Sequence, residues 1–386
     1  MGAVEIMAAP VPAPSLRDRF RAWREGITAR PGFRAWAARF PLTRPMARQR
    51  ARALFDLCAG FVYSQVLFAC VRLRIFDLLH EAGPLPPGIL AERLNLTPQA
   101  ADTLLRAAAS LELLALRDDG RWALGPLGAA MVGNPGIAAM VEHHALLYAD
   151  LADPVGLLQR DRGGNALSGY WAYAGAEAPA AASAERVADY SALMAASQPM
   201  VAEEVLGAYD FRAHRVLLDV GGGEGAFVSA VAKAAPNLRL QVFDLPAVAE
   251  RARARFASLG LSGRAEAFGG DFSTDKLPRG ADLISFVRVL HDHDDAVVRG
   301  LLRAARAALP SGGRLLIAEP MAGTRGAEPM GEAYFGFYLL AMGRGRPRRP
   351  AELQAMIEEA GFTGVRLLST GTPLLTRVLV ADVASA

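Results

Sequence analysis

Residues 215–225 read Arg-Val-Leu-Leu-Asp-Val-Gly-Gly-Gly-Glu-Gly, and their order decides the fold. Val216, Leu217, Leu218 and Val220 form a nearly unbroken apolar run, which suits a strand buried on both faces of a parallel sheet. Asp219 closes that run, and glycines follow at 221, 223 and 225. Glycines at this spacing let the backbone turn sharply and approach a ligand at the N-terminus of the next helix. A second short apolar run, Gln241-Val242-Phe243-Asp244, ends in an acid 19 residues past Gly225. An acid at the tip of the second strand is placed to accept both hydroxyls of a ribose.

The loop also separates two cofactor classes. Nicotinamide enzymes usually write Gly-x-Gly-x-x-Gly and hold a pyrophosphate there. This chain writes Asp219-x-Gly221-x-Gly223-x-Gly225, an order that resembles class I S-adenosylmethionine-dependent methyltransferases, in which no phosphate has to be held. That resemblance implies an Asp219 carboxylate near the ammonium end of the cofactor's methionine moiety. S-adenosyl-L-methionine is the expected cofactor, ahead of a dinucleotide.

From Val216 onward, apolar runs alternate with helical patterns. Strands are expected near 216–220, 239–243, 264–268, 282–287, 314–319, 364–369 and 376–381, with helices over 225–235, 246–259, 295–309 and 350–360. Such alternation predicts an α/β fold, a mostly parallel Rossmann-like sheet with helices on both faces. The closely spaced last two strands suit an antiparallel hairpin ending the sheet. Upstream, Pro86 to Leu94 reads as a helix and Asn95-Leu96 as a turn. Thr97 then caps a second helix with Pro98 at its first position, running to about Leu114. Leu113 to Leu124 follows as a hairpin around Asp119-Gly120. The combination is a winged helix. Its second helix carries only Asp102, Arg106 and Glu112 as charges, whereas a helix that reads DNA needs groups for phosphates and base edges. Packing or dimerisation is the expected role. Three regions are expected: an arm over 1–32, a helical and winged-helix dimerisation domain over 33–208 broken by a Gly- and Ala-rich stretch from Arg162 to Ala184, and a methyltransferase domain over 209–386.

Composition narrows the setting. At 386 residues the chain exceeds what one compact core normally organises. Its net charge of +3 gives no general field for nucleic acid, and all but Lys233 and Lys276 of its 42 basic residues are Arg. Two cysteines and no visible export signal fit a reducing cytoplasm. The most apolar early stretch, Leu57 to Val71, is too short to span a bilayer, which needs about 20 residues. It reads as a buried helix at a subunit interface, ahead of a membrane-surface or lipid-substrate role.

Two further clusters bear chemistry. Gly270-Asp271-Phe272 follows the third strand, where an acid can accept from an exocyclic amine and an aromatic ring can stack on a purine. Residues 285–295, Ser-Phe-Val-Arg-Val-Leu-His-Asp-His-Asp-Asp, follow the fourth strand, at the carboxyl edge where open α/β sheets bind ligands. The run His291-x-His293-x-Asp295 resembles a hydrolytic metal site, but no histidine follows His293 to complete one, so no metal is expected. Asp294 and Asp295 read as the cap and first turn of the next helix. Methyl transfer needs the acceptor positioned and its proton removed, and His291, which can titrate near neutrality, suits that task. Glu319, closing the fifth strand, is the expected carboxylate that orients its ring.

These residues together resemble the O-methyltransferases of the caffeate and hydroxyindole type, over most of the chain. The resemblance implies a homodimer built through the winged-helix domain. It implies cofactor contacts from Asp219, Gly221, Gly223, Gly225, Asp244, Asp271, Phe272 and Arg288 (where a Lys is more usual), with His291 as base beside Asp292 and Glu319 supporting it. Two departures stand out. The family's second supporting glutamate falls at Pro347, which leaves the histidine held from one side only or the base different. The hydroxyl expected near the methionine carboxylate is displaced to Ser197. Phe33 to Pro45, Arg52 to Leu57, Gly60 to Gln65 and Gly343 to Pro347 further resemble the carotenoid branch of photosynthetic bacteria. That branch implies methylation of a tertiary hydroxyl on a hydrophobic acyclic hydroxy-carotenoid (demethylspheroidene or hydroxyneurosporene type), by a cytoplasmic enzyme peripheral to the membrane. Phe335, Phe337, Tyr338, Leu339 and Met342 are expected either to line an acceptor channel or to be helix core. Three readings stay open beside this one: a phenolic or polyketide acceptor, a member that keeps the cofactor without methylating, and a winged-helix ligand-sensing regulator.

Overall fold

The computed structural model describes residues 15–160, 164–170 and 197–384. Residues 1–14 of the arm, and most of the Gly- and Ala-rich stretch from Arg162 to Ala184, lie outside the described residues.

Strands β1 (Leu114–Leu116) and β2 (Trp122–Leu124) form the upstream hairpin. The carboxyl-terminal sheet holds β3 (Val216–Val220), β4 (Arg239–Asp244), β5 (Ala265–Gly269), β6 (Leu283–Val287), β7 (Arg314–Glu319), β8 (Thr363–Leu368) and β9 (Arg377–Asp382), in the order β5-β4-β3-β6-β7-β9-β8. All pairs from β5 to β7 are parallel, and β9 runs antiparallel between β7 and β8.

Alternation along the strands feeds two cores. Leu217, Leu240, Val242 and Leu316 pack beneath the helices Ala226–Ala234 and Pro246–Ser258. Leu218, Val220, Ile284, Phe286 and Ile317 face the helices Asp295–Ala308 and Pro350–Glu359. The chain works outward from β3 to β5 and then crosses back to place β6 on the free side of β3. That reversal opens a crevice at the carboxyl ends of β3 and β6, the switch point where open α/β sheets bind ligands.

Upstream, helices Pro87–Arg93 and Pro98–Ser110 precede the hairpin, and Thr97 Oγ1 accepts from Ala100 N at 3.2 Å. The second helix stops at Ser110, short of the expected Leu114. Glu112 takes φ 59° and Leu113 N returns to Ala108 O at 3.0 Å, so the chain turns and Leu114 opens β1. Arg106 is paired with Asp102 at 2.8 Å on that helix.

Helix Arg44–Arg72 is longer than its apolar part suggested, at 29 residues. Among the described residues it is the one helix whose length and composition would allow a bilayer crossing. It was expected to be buried, and only its end is: Cys70 and Val71 enter the winged-helix core, whereas Leu54, Phe55, Leu57 and Phe61 are exposed in the single chain. Two shorter helices precede it, Leu16–Thr28, capped by Ser15, and Pro31–Arg39. The described part of the amino-terminal arm is therefore helical.

Candidate active site

The loop after β3 is shaped by its glycines, with φ of 70°, 59° and 74° at 221, 223 and 225. At Gly225 a side chain would both strain this conformation and drive a Cβ to within 2.6 Å of the Phe256 ring. Gly225 is also the N-cap of helix Ala226–Ala234, so the loop delivers the chain directly into that helix. Asp219 is fully buried and accepts from Ser285 Oγ at 2.6 Å, a β3-to-β6 contact. Burial pushes its pKa up to about 7, against the Ser285 hydrogen bond and with the charge of Asp244 adding to the rise. Asp244 ends β4 and accepts from Gly223 N and Leu245 N, both at 2.8 Å. Enclosure raises its pKa to about 6 despite those two bonds. Each Asp244 oxygen receives one amide and keeps a lone pair, and a Cβ placed on Gly223 would meet nothing within 4 Å. An open glycine ledge beside a two-oxygen acceptor fits a ribose diol.

The next strand ends adjoin this ledge. Gly270 N donates to Asp244 O at 2.9 Å, which sets Asp271 and Phe272 beside Asp244. Asp271 Oδ1 accepts from Ser273 N at 2.8 Å, and Phe272 stands edge-on to the His293 ring at 5.2 Å. His293 thus serves the aromatic wall, and its pKa falls to about 3 through burial and the nearby Arg344. Arg288 leaves β6 with φ 59°, a conformation costly for a residue with a side chain. Its amide is held by Ala318 O at 2.8 Å and its guanidinium donates to Ser197 Oγ at 2.7 Å. The displaced hydroxyl of the sequence reading therefore reaches the site through Arg288.

His291 lies in a short turn, Leu290–Asp292, between β6 and helix Asp295–Ala308. Glu319 at the end of β7 holds this turn from below. One carboxylate oxygen accepts from Val289 N at 2.9 Å and Leu290 N at 2.6 Å, and the other from His291 Nδ1. Asp292 Oδ1 lies 3.1 Å from Nε2 on the opposite edge of the ring. Burial alone would lower the imidazole pKa, but the charges of Asp292 and Glu319 more than reverse that, so it lies above the usual 6.5. Pro347 supplies no carboxylate, so among the described residues Glu319 alone hydrogen-bonds the ring, but Asp292, the neighbouring residue, stands against the other nitrogen.

The Arg-rich loop instead grips the backbone of the histidine turn. Arg346 N donates to His291 O at 3.0 Å, and Arg348 donates to Leu290 O and His293 O, both at 2.7 Å. Arg346 and Arg348 converge on Asp295, whose pKa they hold down at about 2. Asp294 occupies the N-cap position, yet its carboxylate accepts from Gly345 N at 3.1 Å rather than from the helix it was expected to cap. A Cβ at Gly345 would overlap the His291 carbonyl, so glycine is required for this approach.

The surroundings of His291 are shared between the two halves of the chain. A π-helical stretch, Met330–Tyr334, leads into helix Phe335–Met342. Phe335 meets the His291 ring edge-on at 5.6 Å, while Tyr338, Leu339 and Met342 pack with Leu147, Leu157 and Leu167 as core. From helix Pro135–Asp150, His143 Nε2 meets Tyr338 OH and His144 Nε2 meets Tyr334 OH, each at 2.8 Å. The adjacent histidines 143 and 144 were the sequence signal for these contacts, but their tyrosine partners lie 195 and 190 positions away.

A buried histidine backed by carboxylates, beside an acidic glycine ledge at a switch point, can take a proton next to a bound nucleoside. Residues 148–363 match the O-methyltransferase domain and residues 55–134 the O-methyltransferase dimerisation domain. The chain belongs to this O-methyltransferase family, and it is an S-adenosylmethionine-dependent enzyme. It is 44% identical to the demethylspheroidene O-methyltransferase of Cereibacter sphaeroides, over 90% of this chain and 91% of that protein. The protein of the same name from Rhodobacter capsulatus is 45% identical, over 89% and 85%. The crystal structure of human N-acetylserotonin methyltransferase with S-adenosylmethionine superposes with a TM-score of 0.73 at 25% identity, covering 87% of this chain and 98% of its own. The dimerisation domain supports a homodimer.

Proposed function

We propose that the enzyme methylates a tertiary hydroxyl of an acyclic hydroxy-carotenoid, working in the cytoplasm at the face of the membrane that dissolves its acceptor. The acceptor class rests on the two demethylspheroidene O-methyltransferases, each 44–45% identical over about nine-tenths of the chain. The observation that carries the mechanism is the carboxylate on each side of the His291 ring. A tertiary alcohol is a far weaker acid than a phenol, so a proton acceptor whose cationic form is stabilised matters more here. When bound, S-adenosylmethionine supplies a methyl group already activated on a sulfonium. His291 Nε2 would receive the proton that the acceptor hydroxyl gives up when its oxygen takes that methyl group. Glu319 keeps Nδ1 protonated, so that Nε2 presents the lone pair, and Asp292 stabilises the imidazolium that results.

Asp244 takes the ribose hydroxyls, Asp219 faces the cationic methionine end, and Asp271 with Phe272 flanks the adenine. Gly221, Gly223 and Gly225 give the backbone access, and Arg288 with Ser197 closes the carboxylate end. Asp244→Ala removes two charge-assisted hydroxyl contacts and frees the Gly223 amide, so cofactor binding is expected to weaken about 10- to 100-fold by calorimetry. Unchanged affinity would remove Asp244 from the ribose site.

The substrate is tested with methyl-labelled cofactor and two detergent-dispersed acceptors, a 1-hydroxy carotenoid and a caffeate-like phenol. Label is expected on the carotenoid ether. Label on the phenol alone would overturn the carotenoid reading while keeping the reaction class.

A further inference from the structure

Charge and apolar surface are segregated at the amino-terminal end. Over residues 16–52 eleven Arg face only Asp18 and Glu25, a balance of +9, and the remainder of the chain is −6. All eleven Arg are exposed. The apolar residues of the same segment fall in stripes. Leu16, Phe20, Trp23 and Ile27 recur at helical spacing along Leu16–Thr28, and Phe33, Trp36 and Phe40 do so along and just beyond Pro31–Arg39. Leu16 is 81% exposed, Phe20 and Trp23 are each 61% exposed, and Trp36 is 50% exposed. Among the described residues the rings pair with one another, Phe20 with Trp23 at 5.6 Å and Trp36 stacked on Phe40 at 4.9 Å.

We propose that the segment from Leu16 to Arg52 is a docking surface for an anionic phospholipid bilayer. Trp and Phe anchor at the headgroup level, and Arg forks bind phosphate oxygens while remaining in water. Charge complementarity selects this occupant. A two-fold contact between copies would set +9 against +9 across one interface, and the dimerisation domain begins only at residue 55. The exposed Phe55, Leu57 and Phe61 fall within that domain and are available to a second copy. Nucleic acid would engage the same arginines but leave the apolar stripe of Leu16, Phe20, Trp23 and Ile27 in water, whereas a bilayer takes it up. The proposal rests on the membrane-dissolved acceptor for its setting, but its test does not.

The test sediments the full-length protein with phosphatidylcholine vesicles, and with vesicles also containing phosphatidylglycerol. Two variants accompany it, Phe20→Ser/Trp23→Ser/Trp36→Ser and Arg17→Gln/Arg21→Gln/Arg24→Gln. At least tenfold tighter binding to the anionic vesicles is expected, falling at least tenfold in both variants while melting temperature and dimer mass stay unchanged. Equal binding to both vesicle types, or binding that survives both variants, would overturn the proposal. So would conversion of the aromatic variant to a monomer, which would make the stripe a subunit contact, or a duplex DNA oligonucleotide binding more tightly than the anionic vesicles. Methyl transfer to detergent-dispersed acceptor is measured in parallel: its absence alongside anionic-vesicle binding would overturn the carotenoid reading and leave the docking surface standing.

Discussion

His291→Ala is expected to lower kcat by about 10²- to 10⁴-fold, the range that a positioned general base supplies, while leaving the affinity for S-adenosylmethionine within a few-fold. The separation follows from placement. The proposed cofactor contacts come from the ends of β3, β4 and β5 and from Arg288 just after β6, whereas the His291 ring is turned into its own pocket, with Nδ1 bound by Glu319 and its other edge facing Asp292. The wild-type pH profile gives an independent check. Both carboxylates favour the imidazolium, so the pKa lies above 6.5. A base must be neutral to act, so kcat at saturating cofactor should be low at acid pH and rise with pH through an inflection above that value. Single-turnover rates with labelled cofactor report both quantities. An inflection below 6.5, or an alanine variant that keeps its rate, would remove His291 from the role of base.

Glu319→Ala should cost both catalysis and fold. The carboxylate is 2% exposed and binds three donors, the amides of Val289 and Leu290 and the His291 ring. Removing it leaves two buried amides and an imidazole without their acceptor, and breaking a buried charged contact of this kind typically costs about 3–5 kcal/mol. Glu319→Gln separates the two effects. Its amide oxygen can still accept from the backbone, whereas its NH2 opposes Nδ1–H and favours the wrong ring tautomer. The glutamine variant is therefore expected to recover most of the stability but little of the rate, staying about 10²-fold or more below wild type. Denaturant midpoints and kcat measured on both variants decide it. A glutamine variant with full activity would mean that Glu319 is a scaffold and does not set the tautomer.

The sheet was legible because local patterning and tertiary role agree there. Each apolar run from Val216 to Asp382 became a strand within a residue or so of the expected bounds; for the central β3, β6 and β7 this follows from burial on both faces, which tolerates little else. The acids at or next to the ends of β3, β4 and β7 were legible as polar breaks at the carboxyl edge. What escaped were contacts that periodicity does not encode. Asp294 looked like a helix cap, but a distant glycine loop competes for its carboxylate. Pro347 looked like a missing support, yet spacing cannot show that the residue after the histidine flanks its other nitrogen. The long helix Arg44–Arg72 read as buried because composition records how apolar a helix is and not whether its cover comes from the same chain.

The two histidine–tyrosine bonds that tie helix Pro135–Asp150 to residues 334 and 338 have a bearing on how such enzymes can diversify. They make the packing beside Phe335, whose ring meets His291, a joint product of two stretches far apart in the gene. A recombinant that exchanged the carboxyl-terminal half alone would inherit tyrosines cut to fit another parent's histidines. Changes to this packing should therefore succeed by paired exchange of both stretches, and point changes on one side should first loosen the surroundings of His291.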